Sequence, residues 1–398
     1  MTAYILTIII RLLPILGSNL IFAGFFMVVL NIYLDNLLLF RDFTLSLSYP
    51  KKIVRSTIPE EHLEGRENFR YKKFLVLMGA NATGKTALGK VLMSVFNFIS
   101  KKESAVITDL IEERNKTASF TLDVAGPEHV LYRISAVFSA LEHVNDEYSS
   151  TDINVSVRSE KIGKQDSYNS CLKRLLAKEN NEHKSYVMEL EKLPPLSWKF
   201  EFPFASEGKQ RAVHPYNKEI YSRFLEKTLK ALDPRIMRVR EVSEIEDAYA
   251  VMYPNRVEII KNGLVMSPDK LSSGTLEGIG IADMLSAMKL KLCDFYYCDE
   301  KFSHIHSEVE KAFISLMIDY LGPNQQMIVT THNSDVLDMD LPKNSYVFMR
   351  RNDFDETISC VYASYYLKKS TDSLKNAVEN DLFSTAPNVD RIYDLSSL

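Results

Sequence analysis

Eight consecutive residues, Gly79-Ala80-Asn81-Ala82-Thr83-Gly84-Lys85-Thr86, constrain this chain more than any other stretch. They match G-x-x-x-x-G-K-[ST], a loop whose glycines let backbone N–H groups close on phosphate oxygens. The motif needs a strand before it and a helix after it. Phe74–Met78 is an unbroken apolar run of strand length, and residues 87–96 carry apolar side chains at helical spacing. The helix N-terminus then adds its positive end to the phosphate site. Lys85 would reach the β- and γ-phosphates, and the Thr86 hydroxyl would hold Mg2+ beside them.

Such a loop is completed by a carboxylate at the end of a second strand. Residues 295–298, Phe-Tyr-Tyr-Cys, have high strand propensity and run into Asp299-Glu300. Asp299 is expected at the metal, and Glu300 is expected to orient or activate the attacking water. Neighbours on a strand point to opposite sides, so two separate roles are expected for the two acids. Gln326–Thr331 reads as the next buried strand and ends in His332, within range of a γ-phosphate or the attacking water. Leu271-Ser272-Ser273-Gly274-Thr275 opens an apolar helix over 279–288 and forms a second anion-binding turn.

Composition excludes more than it selects. The chain has 398 residues, 46% hydrophobic and 25% charged, with net charge -4 and pI near 6.1. No global basic bias points to nucleic acid. DNA contact would need local patches, and only small ones exist, at Lys173-Arg174, Lys209–Arg211 and Arg235–Arg240. Cys171, Cys293, Cys298 and Cys360 show no C-x-x-C spacing, which suits a reducing cytoplasm and argues against a disulfide framework or zinc.

Residues 1–27 form an apolar extension with no charge from Leu12 to Leu30. Residues 1–26 read as a start assigned too far upstream, with Met27 as the natural first residue; the codons of Ala23–Phe26 can carry a purine-rich ribosome-binding stretch. The alternative is a membrane tether through residues 4–26 that faces the cytoplasm. The rest divides into a lobe carrying the phosphate loop at 28–104, a β meander with a helical insertion at 105–265, and a second lobe carrying the serine-glycine turn, acid pair and histidine at 266–398. Strands are expected at Val28–Asp35 and Phe43–Ser48, then at 119–124, 130–138 and 152–158, with 198–204 and three short strands over 236–260. Residues 101–116 and 161–193 read as helical and solvated, and 220–232 as an amphipathic helix.

The order of phosphate loop, Leu-Ser-Ser-Gly-Thr turn, Asp-Glu strand end and strand-end histidine resembles the ABC-type ATPase heads. The long insertion resembles the SMC-like branch, and within it the compact heads of phage-defence operons and OLD-family nucleases. This resemblance implies an α/β fold: a P-loop NTPase, ABC-ATPase-like head with an antiparallel β meander and a helical insertion. It implies ATP and Mg2+ as ligands and Mg-dependent ATP hydrolysis. It implies a homodimer that sandwiches ATP, with Ser272, Ser273 and Gly274 of one head capping the γ-phosphate held by Lys85 of the other. Asn81 is frequent in loops of that branch, and Arg41, in Leu34–Phe43, matches an arginine that approaches the nucleotide.

Departures are plain. No glutamine lies between Thr86 and Gln165, so the usual glutamine loop has no counterpart. Lys301-Phe-Ser-His-Ile-His306 replaces the usual loop after the acid pair, with His306 the nearer match to a histidine found there. Only 66 residues follow His332, too few for the Toprim nuclease domain of OLD proteins. The expected function is an ATP-hydrolysing, dimerising switch of bacterial defence or DNA maintenance that controls a separate effector. A non-hydrolysing nucleotide-sensing scaffold and a transporter ATPase subunit are the alternatives.

Overall fold

A computed structural model describes residues 26–49, 56–178, 185–203, 217–352, 355–369 and 372–384. The expectations for residues 1–25 and for the basic cluster Lys209–Arg211 lie outside them.

Six strands build the sheet that carries the motifs, in the order Ile358–Tyr362, Tyr346–Arg351, Phe74–Met78, Gln326–Thr330, Phe295–Asp299, Trp198–Glu201. Only the pair 346–351 and 358–362 is antiparallel. A parallel sheet is covered on both faces, which is why its inner strands are mostly apolar and why Phe74–Met78 is buried at every residue. Alternation sorts the side chains. Leu75, Leu77, Phe295 and Tyr297 join one core with Val91, Leu92, Val95 and Phe96 of helix Lys85–Lys101. Phe74, Val76, Met78, Tyr296 and Cys298 join another with helices Ser273–Lys289 and Ser307–Tyr320.

Helix 85–101 has a second sheet on its other side. This sheet is antiparallel, in the order Phe43–Ser46, Val28–Asp35, Ala118–Gly126, Val130–Phe138, Ile153–Lys161. Its Leu34, Phe43 and Phe120 enter the same core as Phe98 and Ile99. The layers are therefore antiparallel sheet, helix, parallel sheet and helix pair. Gln326 ties the sheets together. Its buried side-chain amide donates to the Val29 and Lys72 carbonyls and accepts from the Val29 N–H, each at 3.0 Å. A four-stranded antiparallel sheet over 238–265 packs with helix Lys218–Leu232 against Ile279 and Ala282.

The expected strands and the helix at 220–232 are present, within a few residues at their ends. Three expectations change. Residues 101–116 are mostly turns, with a short helix only at Ala105–Thr108. Among the described residues of 161–193 the helices are Tyr168–Leu176 and Tyr186–Leu190, and the first is no solvated arm. Tyr168, Cys171 and Leu175 are buried with Val28 and Leu30, and the Tyr168 hydroxyl donates to the buried Asp123 at 2.6 Å. The sheets also cross the sequence divisions. Strands 28–46 pair with 118–161, and Trp198–Glu201, from within the insertion, forms an edge of the motif-bearing sheet. Among the described residues no helix is long and apolar enough to cross a membrane.

Candidate functional site

Strand parity builds the site. Phe295, Tyr297 and Asp299 share the face covered by helix 85–101, so Asp299 arrives under the helix's first turn. The Thr86 hydroxyl donates to Asp299 Oδ2 at 2.7 Å, and the Thr330 hydroxyl of the adjacent strand donates to Oδ1 at 2.6 Å. Burial holds the Asp299 carboxyl above the ordinary carboxylate range, and those two hydroxyls act against the shift. Tyr297, two residues back, donates to the Lys85 carbonyl at 2.8 Å. Gly89 lets helix and strand approach this closely, because a Cβ there would stand 2.6 Å from the Tyr297 ring.

The loop is held open by its glycines. Gly84 lies in the left-handed region at φ 93°, and a Cβ on it would meet Ile358 Cδ1 at 2.9 Å. A Cβ on Gly79 would stand 2.7 Å from both the Met349 carbonyl and the Thr83 hydroxyl. Ala82 also adopts positive φ, at 62°, and Thr83 closes the turn by donating to the Ala80 carbonyl at 2.8 Å. Asn81 and Ala82 are exposed at the tip. No side chain caps the N-terminus of helix 85–101, which leaves its first N–H groups for an anion. Lys85 Nζ donates to the Gly79 and Ala80 carbonyls at 2.8 and 3.1 Å and stands 3.1 Å from Glu300 Oε1.

The Glu300 position corrects the sequence reading. The strand ends at Asp299, and Glu300 takes a left-handed backbone at φ 41°. Its N–H donates to both oxygens of Thr330, at 3.0 and 3.2 Å. The turn cancels strand alternation, so Glu300 meets Lys85 while Asp299 meets Thr86.

Other expected residues are placed differently. Arg41 is 56% exposed and pairs with Glu113 at 3.0 Å. Its neighbour Phe40 is the residue that packs beside Gly84. Ser272 caps its own helix by accepting from the Thr275 N–H at 3.2 Å, and Ser273 is exposed. Gly274 abuts the His304 carbonyl, which a Cβ would meet at 2.8 Å. The described contacts of these three residues lie within their own turn and with the loop after Glu300, not with Lys85. His306 caps helix 307–320 by accepting from the Glu308 N–H at 3.2 Å.

His332 is exposed just beyond the strand end. Its flanks are held by Glu310, which sequence reasoning missed. The Glu310 carboxylate accepts from the Thr331 hydroxyl at 2.9 Å and the Asn333 amide at 2.6 Å. Burial raises the Glu310 carboxyl above its ordinary value, and both hydrogen bonds oppose this. A signal existed: Glu310 falls at the spacing of Phe313, Ile314 and Met317, a charge on the buried face of an amphipathic helix. Tyr297 and Thr330 were also missed; the parity of Asp299 and the register Asp299↔Thr330 would have found them.

These residues fit a magnesium nucleotide. The two loop glycines pack where a Cβ would collide with Ile358, Met349 or Thr83, no side chain caps the helix N-terminus, and a hydroxyl and a carboxylate oxygen converge beside the lysine. Mg2+ takes few protein oxygens and completes its shell with phosphate and water. Two protein donors therefore suffice, and among the described residues no larger ligand cluster occurs.

A solved structure matches this fold over most of both chains. The Smc head domain with an extended coiled coil bound to the C-terminal domain of ScpA, derived from Pyrococcus furiosus, matches with TM-score 0.50 and 12% identity over 86% of this chain and 98% of that one. The fold is that of an SMC head domain. Two further matches score lower: an SmcHead bound to the C-winged helix domain of ScpA, at TM-score 0.49 and 14% identity over 86% and 99% of the two chains, and the SMC head domain from Thermotoga maritima, at 0.41 and 13% over 84% and 98%. At these identities the likeness to SMC heads is one of fold. No protein-family model and no curated protein matches the chain.

Proposed function

We propose that this chain binds and hydrolyses ATP with Mg2+, and that hydrolysis runs a dimerising switch acting on a separate effector in bacterial phage defence or DNA maintenance. One observation carries the reading. Lys85, Thr86, Asp299 and Glu300, up to 215 positions apart in sequence, converge through contacts of 2.7 and 3.1 Å. Neither the helix nor the sheet requires a lysine and a threonine to meet two carboxylates there.

In this reading the loop N–H groups and Lys85 hold the β- and γ-phosphates, and Thr86 and Asp299 hold the metal. Magnesium, when bound, neutralises charge that builds on the phosphate oxygens. Glu300 turns from Lys85 to the water that attacks the γ-phosphate, and accepts its proton. His332 steadies that water or the phosphate. Arg41 reaches the nucleotide only by leaving Glu113.

Ser272, Ser273 and Gly274 face a second head, where they close on its γ-phosphate. The exposure of Ser272 and Ser273 supports this role in trans. The DNA reading weakens, because Arg174 pairs with Asp166 and Glu160 and Arg235 with Asp233.

Glu300→Gln tests the assignment. The expected outcome is ATP binding within about two-fold of wild type, turnover reduced at least about 100-fold, and a dimer that persists in ATP by light scattering. Turnover equal to wild type contradicts the role of Glu300. Wild-type turnover no higher than that of Lys85→Ala leaves the non-hydrolysing scaffold as the reading.

A further inference from the structure

Five charged side chains meet between the signature helix 273–289, the edge strand 198–201 and the loop after Glu300. Lys301 Nζ stands 2.9 Å from Glu277 Oε2 and 3.9 Å from Glu201 Oε2. Lys199 reaches Glu201 Oε1 at 3.2 Å and also pairs with Asp283. Lys301 and Glu277 are about as buried as the core, at 5% and 3% exposure. Gly280 makes room for the cluster, since a Cβ on it would stand 2.8 Å from both Lys301 Nζ and Glu201 Oε2.

Stability gives little reason for this arrangement. Desolvating two cations and three anions is costly, and buried ion clusters of this kind are often replaced by apolar side chains at no loss. Their geometric effect is more specific. Lys301 is bonded to Glu300, whose carboxylate stands at Lys85. Glu277 lies one turn from Gly274, which itself abuts His304. The helix that presents Ser272–Gly274 thus grips the 301–306 loop at two points, directly beside the candidate catalytic acid.

We propose that Lys301 is a positioning residue that, through Glu277 and Glu201, fixes the Glu300 loop to the helix presenting Ser272, Ser273 and Gly274, so that engagement of that helix N-terminus sets where the Glu300 carboxylate stands. The proposal rests on the ATPase reading above. It replaces the coupling that the absent glutamine loop would supply with one built on the unusual Lys301-Phe-Ser-His sequence. A helix displaced by a partner's nucleotide carries the Lys301 anchor with it, and Glu300 follows through one peptide bond.

The test is the double variant Glu277→Leu/Lys301→Met, which removes one charge of each sign and keeps side-chain volume. The expected result is a melting temperature equal to or above wild type and a KM for Mg-ATP within about two-fold. With these, kcat falls at least about ten-fold, and residues 300–306 exchange amide hydrogens faster in the nucleotide-free protein. Glu277→Gln, which keeps shape and polarity, is expected to show the same pattern more weakly. Wild-type kcat, or unchanged exchange at 300–306, overturns the proposal. A fall in kcat that only tracks lost stability does so too. If wild type itself turns over no faster than Lys85→Ala, the ATPase reading fails, and the exchange measurement alone decides whether Lys301 fixes the loop.

Discussion

Glu300 shows how much a single backbone torsion decides. In a continued strand its carboxylate would face the helices on the far side of the sheet. At φ 41° it returns to Lys85, at a cost of order 1–3 kcal/mol for a left-handed non-glycine residue. The two Thr330 hydrogen bonds to its N–H hold that conformation. Glu310 acts on the opposite wall. Glu310→Ala leaves the Thr331 hydroxyl and the Asn333 amide without their buried acceptor, so stability is expected to fall by about 1–3 kcal/mol. Turnover is expected to fall further than stability explains, because His332 loses both flanking anchors. Urea unfolding and steady-state kinetics at a temperature where the variant is fully folded separate the two effects; full activity there would make Glu310 a structural residue only.

At the scale of elements, what the sequence showed and what it hid divide by distance. The strand, glycine loop and helix at 74–101 were legible because each signal is local: an apolar run, two glycines five residues apart before Lys-Thr, helical spacing. The acid strand and the histidine strand were legible for the same reason. The partner of Trp198–Glu201 was not, since nothing in four residues says that they pair with 295–298 rather than with the meander before them. The turn at Glu300 was hidden as well, because the Thr330 contacts that impose it come from a strand thirty residues on. Solvation was misjudged at 168–176, where Tyr168, Cys171 and Leu175 pack on Val28 and Leu30, about 140 positions away, and Tyr168 donates to Asp123.

One element-level contact makes a pH prediction. Asp294 immediately precedes the acid strand and accepts from the Ser197 hydroxyl at 2.6 Å, and burial raises its carboxyl to about 6. The folded chain then holds a proton that the unfolded chain releases near the ordinary value, so this group's contribution to stability falls as pH rises from about 4 to 6. Asp294→Asn lacks that loss. Its melting temperature relative to wild type is expected to climb across that interval and level off above it; a constant difference would show that Asp294 titrates normally.

The whole molecule is a stack in which one helix is shared by two sheets and one glutamine pins them together. The phosphate loop and the Ser272–Gly274 turn both stay accessible on it, so a second head can complete each site with the other's turn. Ser273→Arg puts a long side chain where the partner must close. It is expected to leave ATP binding by the single head unchanged and to abolish the ATP-driven dimer of the Glu300→Gln background, as read by sedimentation. A dimer of normal strength would mean that the heads associate by another face.

All of this depends on the lysine loop and the acid pair serving one magnesium nucleotide. Calorimetric titration of ATP, with and without Mg2+, into wild type, Lys85→Ala and Asp299→Asn measures that directly. The expected result is Mg-dependent binding by wild type, no measurable binding by Lys85→Ala, and loss of the magnesium dependence in Asp299→Asn. Binding by Lys85→Ala at wild-type affinity, or an Asp299→Asn variant with full magnesium dependence, would contradict it.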